Sequence, residues 1–374
     1  MKIGIVCYPV QGGSGVVASE LGLALSKMGD EVHFFSYALP FRLTGFDANF
    51  IFHEVEISNY PLFKYPPYTL TLAARLAEES KRVGLDIIHV HYAIPHAISG
   101  YLARQILGKG APKLITTLHG TDITLVGQHP SFYAVTKFSM EVSDALTTVS
   151  RYIAERTRES FGIAKEIRVI PNFVDVSRFR PDLEGCNRSE FALSEEKIIV
   201  HLSNYRPVKN TPDVIRIFEI VNRRIPSRLI LVGDGPDAPN ILSLASELGL
   251  KDRVIFLGGQ DMVESVLCKA DLFLLPSASE AFGLAALEAM ACGVPVVGSI
   301  VGGLPELVTD GETGFLEPIG DVGAMARRAI EILNDKKLHV EMSSNARNIA
   351  VEKYRTEKMV AEYRSFYQEV IEND

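Results

Sequence analysis

Residues 3–37, IGIVCYPVQGGSGVVASELGLALSKMGDEVHFFSY, decide the fold. Their first apolar run, 3–8, predicts a strand, the amphipathic segment 15–27 predicts a helix, and the apolar run 32–37 predicts a second strand. A strand, a helix and a further strand in this order are typical of the βαβ unit of a parallel sheet. The sequence therefore predicts an α/β protein.

The same alternation repeats in two series along the chain. In the first series, strands are predicted at 51–57, 87–91, 114–118, 145–149 and 167–170. In the second series, strands are predicted at 198–203, 229–232, 254–257, 272–275 and 295–297, with helices at 211–222 and 285–291. Three further helices are predicted at 322–333, 338–351 and 356–371.

A turn-forming stretch at 171–181, PNFVDVSRFRP, separates the two series and is predicted to be an interdomain linker. We therefore expect two doubly wound domains, 1–170 and 171–355, and a C-terminal helix within 356–374 that packs back on the first. Open parallel sheets bind ligands at the carboxyl ends of their strands, so we expect the site in a cleft between two facing sheets.

The composition is that of an ordinary soluble globular protein. The 374 residues are 47% hydrophobic and 22% charged, and 38 Lys and Arg face 46 Asp and Glu, for a net charge of -8. This excess of acidic residues argues against nucleic acid or an anionic membrane as a partner. No apolar stretch is long enough for a membrane span, and the apolar run near the N-terminus is too short for a secretory signal.

The four cysteines are widely spaced and form no CxxC pair. Their spacing indicates neither a zinc site nor a disulfide framework, so a cytoplasmic location is expected. The oligomeric state is left open, and a homo-oligomer is compatible with the sequence.

The first glycine cluster, Gly12-Gly13-Ser14-Gly15, comes directly after the first predicted strand and before a helix. Bare backbone amides at a helix N-terminus can receive the oxygens of a phosphate or carboxylate. The alternative is a tight turn in which Ser14 is the N-cap of the helix.

The second cluster, GDGPDA at 233–238, follows the strand LILV and has the GxGxxA spacing of a dinucleotide fingerprint. The next strand ends in Leu257-Gly258-Gly259 and lacks the acidic residue that would bind a ribose hydroxyl. A phosphate contact or a simple turn at Gly233 is therefore favoured over nicotinamide binding and a dehydrogenase activity.

Two cations follow the strand 198–203 in SNYRPVKN, Arg206 and Lys209. At the carboxyl end of a strand they suit a diphosphate, although cations in loops are commonly only solvated.

The stretch 279–297, SEAFGLAALEAMACGVPVV, places Glu280 and Glu288 eight residues apart, with a helix opening near Gly283. Glu280 would lie before the helix, beside the free amides of 282–284, where it could bind ligand hydroxyls. Glu288 lies on an otherwise apolar segment, where a ribose would satisfy its carboxylate. The alternative is that Glu280 caps the helix and Glu288 lies on the surface.

Together these motifs resemble the retaining glycosyltransferases of family 4. The resemblance covers nearly the whole chain and rests on GGSG, HGTD at 119–122, PNFVD at 171–175, RxxK at 206–209, GDGP at 233–236 and the E-x7-E pair. It implies the GT-B fold, with two Rossmann-like domains facing a central cleft. Domain 1–170 would bind the acceptor and 171–355 the nucleotide sugar.

The resemblance also assigns residues. It implies catalytic roles for His119, Arg206, Lys209 and Glu280. It implies donor binding by Gly12, Gly13, Asn204, Gly233, Phe282, Gly283, Leu284 and Glu288. No D-x-D triplet, the usual metal-holding pair of carboxylates, occurs in the sequence. We therefore expect no metal and no cofactor, with Arg206, Lys209 and backbone amides stabilising the leaving phosphate.

A narrower resemblance is to the family members that transfer N-acetylglucosamine from UDP-N-acetylglucosamine to the hydroxyl of L-malate, the first step of bacillithiol biosynthesis. It rests on CYPVQGGSGVVASELG at 7–22, LPFRL at 39–43, KYPPY at 64–68, HVHYAIPHA at 89–97 and TTLHGTDIT at 116–124. The hydroxyl groups proposed for the acceptor are those of Ser14, Tyr92, Thr117 and Thr121. The candidate cations for its two carboxylates are Lys64, Lys137 and Arg42.

The HxH pair His89 and His91, with His96, is predicted to pack and to form hydrogen bonds, because it lacks the further ligands that a metal needs. Two other functions stay open. One is a family 4 enzyme with another acceptor, an inositol phosphate or a lipid-linked sugar. The other is a nucleotide-sugar-binding module without turnover.

Overall fold

A computed structural model of the chain describes residues 1–9, 12–40, 47–57 and 64–373. The chain divides into two compact units. The first unit comprises Met1–Asn172 and Thr356–Asp374, and the second comprises Phe173–Arg355. Each unit is a parallel sheet with helices packed on it.

The first unit alternates strands and helices from its start. Its elements are β1 (Lys2–Val6), α1 (Gly13–Lys27), β2 (Glu31–Ser36), β3 (Phe50–Glu54), α2 (Tyr68–Val83), β4 (Ile87–His91), α3 (Ile98–Leu107), β5 (Lys113–Leu118), α4 (Thr121–Thr124), α5 (Pro130–Val142), β6 (Ala145–Thr148), α6 (Arg151–Phe161) and β7 (Ile167–Val169). A π-helical turn, Ala93–Ala97, and a 3₁₀ turn, Val126–Gln128, lie between them.

The second unit continues the same alternation. Its elements are β8 (Lys197–Leu202), α7 (Thr211–Asn222), β9 (Ser227–Val232), α8 (Ala238–Glu247), β10 (Val254–Gly258), α9 (Glu264–Leu267), β11 (Leu272–Leu275), α10 (Leu284–Ala291), β12 (Val296–Ser299), α11 (Leu304–Leu307), β13 (Gly314–Glu317), α12 (Val322–Asn334) and α13 (Lys336–Lys353). Two 3₁₀ turns, Arg188–Glu190 and Pro207–Lys209, belong to it. The last helix, α14 (Thr356–Glu372), belongs to the first unit.

The sheet orders are those of doubly wound domains. The first sheet has the order β3-β2-β1-β4-β5-β6-β7, and the second has the order β10-β9-β8-β11-β12-β13. The order reverses beside β1 in the first sheet and beside β8 in the second. Ligands of such sheets bind at the carboxyl ends of the strands near the reversal. We therefore expect binding residues in the loops after β1, β4 and β5 of the first sheet and after β8 and β11 of the second.

The central strands of both sheets are buried on both faces. β4, IIHVH, is buried at every position, and β11, LFLL, is too. The apolar pattern predicted these strands to within a few residues. It missed β13, which pairs with β12 but has only four residues and ends in Glu317.

Helix α14 packs on the first unit through one apolar face. Met359, Val360, Tyr363, Phe366 and Tyr367 are its buried residues. The Tyr367 hydroxyl also forms a 2.7 Å hydrogen bond with His89 Nδ1 in β4. The C-terminal helix therefore lies against the strand that contains the HxH motif.

Arg347 of α13 attaches the proline-bounded segment to the second unit. Its guanidinium donates to the carbonyl oxygens of Phe179 and Ala291, each at 2.6 Å, and of Val176 at 2.9 Å. Phe173, Val174 and Phe179 are buried, so most of this stretch is packed into the second unit.

The cysteine spacing did not predict the one disulfide among the described residues. Cys186 and Cys268, 82 positions apart, are bridged in the second unit. Sequence separation carries no information on such a pair, because the fold alone brings the two Cα atoms to 6.1 Å. Within the described part of the chain, no helix is both long enough and apolar enough to cross a bilayer.

Candidate functional site

A lysine and a glutamate meet at the carboxyl ends of β8 and β11 in the second unit. Lys209 Nζ donates to Glu280 Oε1 at 2.8 Å, and the buried Ser277 hydroxyl donates to the same oxygen at 2.8 Å. Because β8 and β11 are adjacent, the loops that follow them lie side by side. The structure thus brings together Lys209 and Glu280, which lie 71 positions apart in the sequence.

Strained backbone shapes the loop that carries Lys209. Tyr205 has a φ of 39° and Asn210 a φ of 52°, values that non-glycine residues seldom adopt. The exposed Arg206 lies between them, and Asn204 Oδ1 is buried without a hydrogen-bond partner among the described residues. The loop therefore presents a cation and an unsatisfied acceptor next to Lys209.

The GDGP motif is explained by close backbone packing. A Cβ atom on Gly233, whose φ is 119°, would lie 1.8 Å from the carbonyl oxygen of Ser203. A Cβ on Gly235 would lie 1.9 Å from that of Asn204. The glycines let the loop after β9 pack against the loop after β8, and a phosphate contact at Gly233 remains a prediction.

The structure contradicts the alternative in which Glu280 is a helix cap and Glu288 lies on the surface. The N-cap of α10 is Gly283, with a φ of 99° and no side-chain cap. Glu288 is only 5% exposed, and Glu280 is bonded to Lys209 and Ser277. Both carboxylates are therefore held inside the second unit.

Phe282 and Leu284 flank Gly283 at the start of α10. The Phe282 ring is buried and packs edge-on against Tyr354, with the ring centres 5.6 Å apart. Phe282 can therefore serve a ligand only through its backbone. The amides of Phe282, Gly283 and Leu284 stand at the positive end of an eight-residue helix, which favours an anion.

Sequence analysis missed two polar residues of this region, Ser277 and His201. His201 is buried in β8, where its ring nitrogens bond to the Leu274 carbonyl and the Ser203 hydroxyl, both at 2.8 Å. Burial lowers the pKa of His201 to about 4, so the ring is neutral at pH 7. Both residues could have been found from the sequence, because each is polar and lies at or near the carboxyl end of an apolar strand.

In the first unit, Ser14, Tyr92 and His119 meet at the carboxyl ends of β1, β4 and β5. The hydroxyls of Ser14 and Tyr92 are hydrogen-bonded to each other. The rings of Tyr92 and His119 have centres 5.1 Å apart. Ser14 is therefore engaged with Tyr92, and the N-cap of α1 is Gly12, so the alternative in which Ser14 caps the helix is wrong.

Two further predicted residues lie near this edge. Thr121, the first residue of α4, is exposed, and Gly13 is the exposed first residue of α1. The first turn of α1 has backbone amides without intrahelical partners, which suit an anion. At the start of α4 the amides of His119 and Gly120 already donate to Asp122. Lys64 is exposed shortly before α2, with its ammonium 5.5 Å from the Tyr65 ring centre.

The histidines of the HxH motif form hydrogen bonds, as the sequence predicted. His91 Nδ1 bonds to His119 Nε2 at 2.8 Å, and His96 Nδ1 donates to the His91 carbonyl at 2.6 Å. His89 bonds to Thr117 Oγ1 at 2.6 Å. Burial lowers the pKa of His119 and His89 to about 3, so these imidazoles are neutral at pH 7.

Two predicted acceptor residues are not brought to this site. Thr117 is fully buried, and its hydroxyl is bonded to His89 and, at 2.5 Å, to Thr147. Thr117 lies on the same face of the sheet as His89, so the Thr117 hydroxyl points into the interior of the first unit. Lys137 Nζ lies 3.9 Å from a Cβ placed on Gly162, past the far end of α6, and therefore near the amino ends of the strands. Arg42 lies outside the described residues.

Two family models match most of the chain. Residues 11–178 match the family model described as "Glycosyltransferase Family 4", and residues 187–349 match "Glycosyl transferases group 1". A curated relative from Bacillus anthracis, "N-acetyl-alpha-D-glucosaminyl L-malate synthase", is 46% identical over 376 aligned positions, which cover 100% of this chain and 98% of that protein.

Solved structures share the two-sheet architecture. Sucrose-phosphate synthase from Thermosynechococcus elongatus matches with a TM-score of 0.84 at 22% identity, covering 100% of both chains. Anabaena HepE in complex with UDP and glucose matches with a TM-score of 0.82 at 21% identity, covering 98% of this chain and 99% of that one. The α/β architecture is therefore the GT-B fold, as predicted.

Proposed function

The chain belongs to glycosyltransferase family 4, and we propose that it transfers N-acetylglucosamine from UDP-N-acetylglucosamine to the hydroxyl of L-malate. The 46% identity along the whole chain to the Bacillus anthracis malate synthase carries this assignment. The product is N-acetyl-α-D-glucosaminyl L-malate, formed with retention at the anomeric carbon, in a cytoplasmic enzyme that needs no metal.

We propose that the second unit holds the donor. Lys209 and Glu280 are already paired at 2.8 Å, so a bound nucleotide sugar would meet a cation and a carboxylate in fixed positions. The carboxylate accepts from sugar hydroxyls, while Lys209 and Arg206 face the diphosphate. Glu288 binds the ribose, and the amides of Gly283 and Leu284 donate to a phosphate oxygen.

The departing UDP gains negative charge on its β-phosphate as the sugar–oxygen bond breaks. Fixed donors stabilise that charge without reorganising, which is the effect that contributes most in such sites. Lys209 suits this role because its ammonium is held by the carboxylate of Glu280. That carboxylate is itself fixed by a hydrogen bond from the Ser277 hydroxyl. We propose that these donors replace a metal.

In the transfer step the malate hydroxyl oxygen bonds to the anomeric carbon on the face that the phosphate leaves. The bond between that carbon and the β-phosphate oxygen breaks. The hydroxyl proton passes to the departing phosphate oxygen, so no dedicated base is required. His119, held neutral by burial, serves as a hydrogen-bonding partner of the reacting sugar and not as the base.

We propose that the first unit holds L-malate. Ser14, Tyr92 and Thr121 supply hydroxyls. Donor binding by the amides of Gly12 and Gly13 remains a prediction. Lys64 and Arg42 are the candidate cations for the two carboxylates. Thr117 and Lys137 are dropped from this set because of where the structure places them.

UDP release by the purified enzyme tests the proposal. The assay contains UDP-N-acetylglucosamine with L-malate, D-malate, an inositol phosphate or no acceptor, each with and without a metal chelator. Turnover that depends on L-malate, survives the chelator and gives an α-linked product by proton NMR would support each part of the proposal. Turnover only with another acceptor would leave the family assignment and move the search to that acceptor.

Matched variants distinguish the effect of losing a site residue from that of changing the same residue type elsewhere on the surface. Lys209→Met is expected to lower kcat about 100-fold or more, because removing one preorganised donor has this effect in comparable sites. Glu280→Gln is also expected to lower kcat, because it removes the charged acceptor that holds Lys209 in place. Lys336→Met and Glu341→Gln change the same residue types at exposed positions of α13. These controls are expected to keep wild-type kinetics.

A further inference from the structure

Asp122, the last residue of HGTD, has no part in the chemistry above, yet it is only 2% exposed. Its two carboxylate oxygens accept from three backbone amides. Oδ1 accepts from His119 at 3.1 Å and from Gly120 at 3.0 Å, and Oδ2 accepts from Ala93 at 3.0 Å. A buried carboxylate with three donors is a built feature, because its burial is costly unless such bonds compensate.

The three amides belong to two different loops. His119 and Gly120 follow β5, whereas Ala93 follows β4. β4 and β5 are neighbours in the sheet, with His91 opposite Thr117, so their loops start side by side. Asp122 is therefore a bridge that ties the loop after β4 to the loop after β5.

Ala93 comes directly after Tyr92, whose backbone has a φ of 84°. Such a conformation is strained in a non-glycine residue and persists only when its surroundings hold it. Two bonds do so. The Tyr92 amide donates to the Thr117 carbonyl at 2.9 Å, and the next amide, of Ala93, donates to Asp122.

We propose that Asp122 is a positioning residue that sets the place of Tyr92 relative to His119, and thereby the approach of the acceptor hydroxyl to the reacting sugar. This inference rests on the proposed function, in which Tyr92 contacts the acceptor and His119 the sugar. Asp122 itself touches neither substrate. It acts through the amide of Ala93 on one side and those of His119 and Gly120 on the other.

Asp122→Asn tests this bridge with little change of volume. The remaining carbonyl oxygen can keep the bonds to His119 and Gly120, but the new NH₂ group would face the Ala93 amide, donor against donor. We expect kcat/KM for L-malate to fall about 100-fold, the scale expected for a misplacement of about 1 Å, with the KM for UDP-N-acetylglucosamine within twofold of wild type.

Asp144→Asn is the matched control. Asp144 Oδ2 accepts from the Leu114 amide at 2.6 Å and pairs with Arg104 at 2.8 Å, so it also ties a β5 amide, but at the amino end of the strand. Its loss is expected to lower the thermal midpoint while leaving kcat/KM for L-malate within twofold. Equal kinetic losses in the two variants would mean that Asp122 acts only through stability.

A double-mutant cycle with Tyr92→Phe adds a readout of positioning. If Asp122 places Tyr92, removing the Tyr92 hydroxyl costs less in the Asp122→Asn background than in wild type, by fivefold or more. In the Asp144→Asn background the cost is unchanged. Additive losses of Asp122→Asn and Tyr92→Phe would overturn the proposal.

Two measurements keep the test independent of folding and of the assigned reaction. Replacing Ala93 by lactic acid through nonsense suppression exchanges the donor N–H for an ester oxygen and keeps the side chain, and it is expected to reproduce the kinetic loss if Asp122→Asn does not fold. Hydrogen exchange followed by mass spectrometry needs no substrate. Asp122→Asn should speed exchange in residues 92–97 while sparing 119–125, and unchanged exchange at 92–97 would refute the bridge even if L-malate is not the acceptor.

Discussion

Lowering the pH from 6 to 5 is expected to destabilise the first unit far more than the second. Burial lowers the pKa of His89 and His119 to about 3 and of His53 and His96 to about 4, and it lowers the pKa of His91 well below the usual 6.5. In the unfolded chain these rings titrate near pH 6.5. Because the unfolded state then binds more protons, stability falls as the pH drops below 6.5.

The magnitude follows from the number of protons. Burial raises the pKa of Asp122 to about 6, so this carboxyl gains a proton in the folded state and offsets part of one histidine. The five rings and Asp122 together give a net uptake of nearly four protons on unfolding between pH 6 and 5, or about 5 kcal/mol over that interval. This is a large part of a typical stability of about 5–15 kcal/mol.

Hydrogen exchange measures this difference inside one sample. Opening free energies are taken from peptides that span β4 and β5, and those from β8 and β9 serve as the internal control. In the described part of the second unit only His201 has a lowered histidine pKa, so its loss should be about 1 kcal/mol. If β4 and β5 lose no more than β8 and β9, the argument from buried neutral histidines is refuted.

Three substitutions extend the predictions. Thr117→Val removes a hydroxyl that, in the contacts described above, is bonded only inside the first unit. The thermal midpoint should fall by a few degrees while the KM for L-malate stays within twofold of wild type. A tenfold rise in the KM for L-malate would restore Thr117 to the acceptor site. Arg347→Met leaves three carbonyl oxygens without their donor and should destabilise the second unit by about 3 kcal/mol, seen as a lower urea midpoint with kcat retained. Ser277→Ala removes one donor to Glu280 and should raise the KM for UDP-N-acetylglucosamine about tenfold with the KM for L-malate unchanged, whereas equal changes in both would contradict the assignment.

Strands and helices were predictable because their signals are local. The apolar runs of β4 and β11 match the predicted ranges, and the spacing of Met359, Val360 and Tyr363 identified the buried face of α14. β13 was missed because four residues with one charged end carry too little periodicity. Strand order was not readable, since it depends on contacts between distant segments.

The residues of the candidate site were predictable where a motif implied a role. They were not predictable where the role depends on which face of the sheet a side chain points to. Thr117 and Thr121 lie in one motif and carry the same hydroxyl group. The structure turns Thr117 inward toward His89, but it leaves Thr121 exposed at the start of α4. Ser277 and Asp122 were overlooked because what they do depends on which backbone or side-chain groups the fold places beside them.

By itself the sequence determined the α/β class, the two series of strands, the family and the residue types of the site, because each of these is written in local patterns. Only the tertiary structure decided which residues meet. The pairing of Lys209 with Glu280, of Cys186 with Cys268, and of Asp122 with the amide of Ala93 each joins positions far apart in the chain or in separate loops. The order and register of neighbouring strands bring such groups together, and that order results from burying all the apolar strands at once.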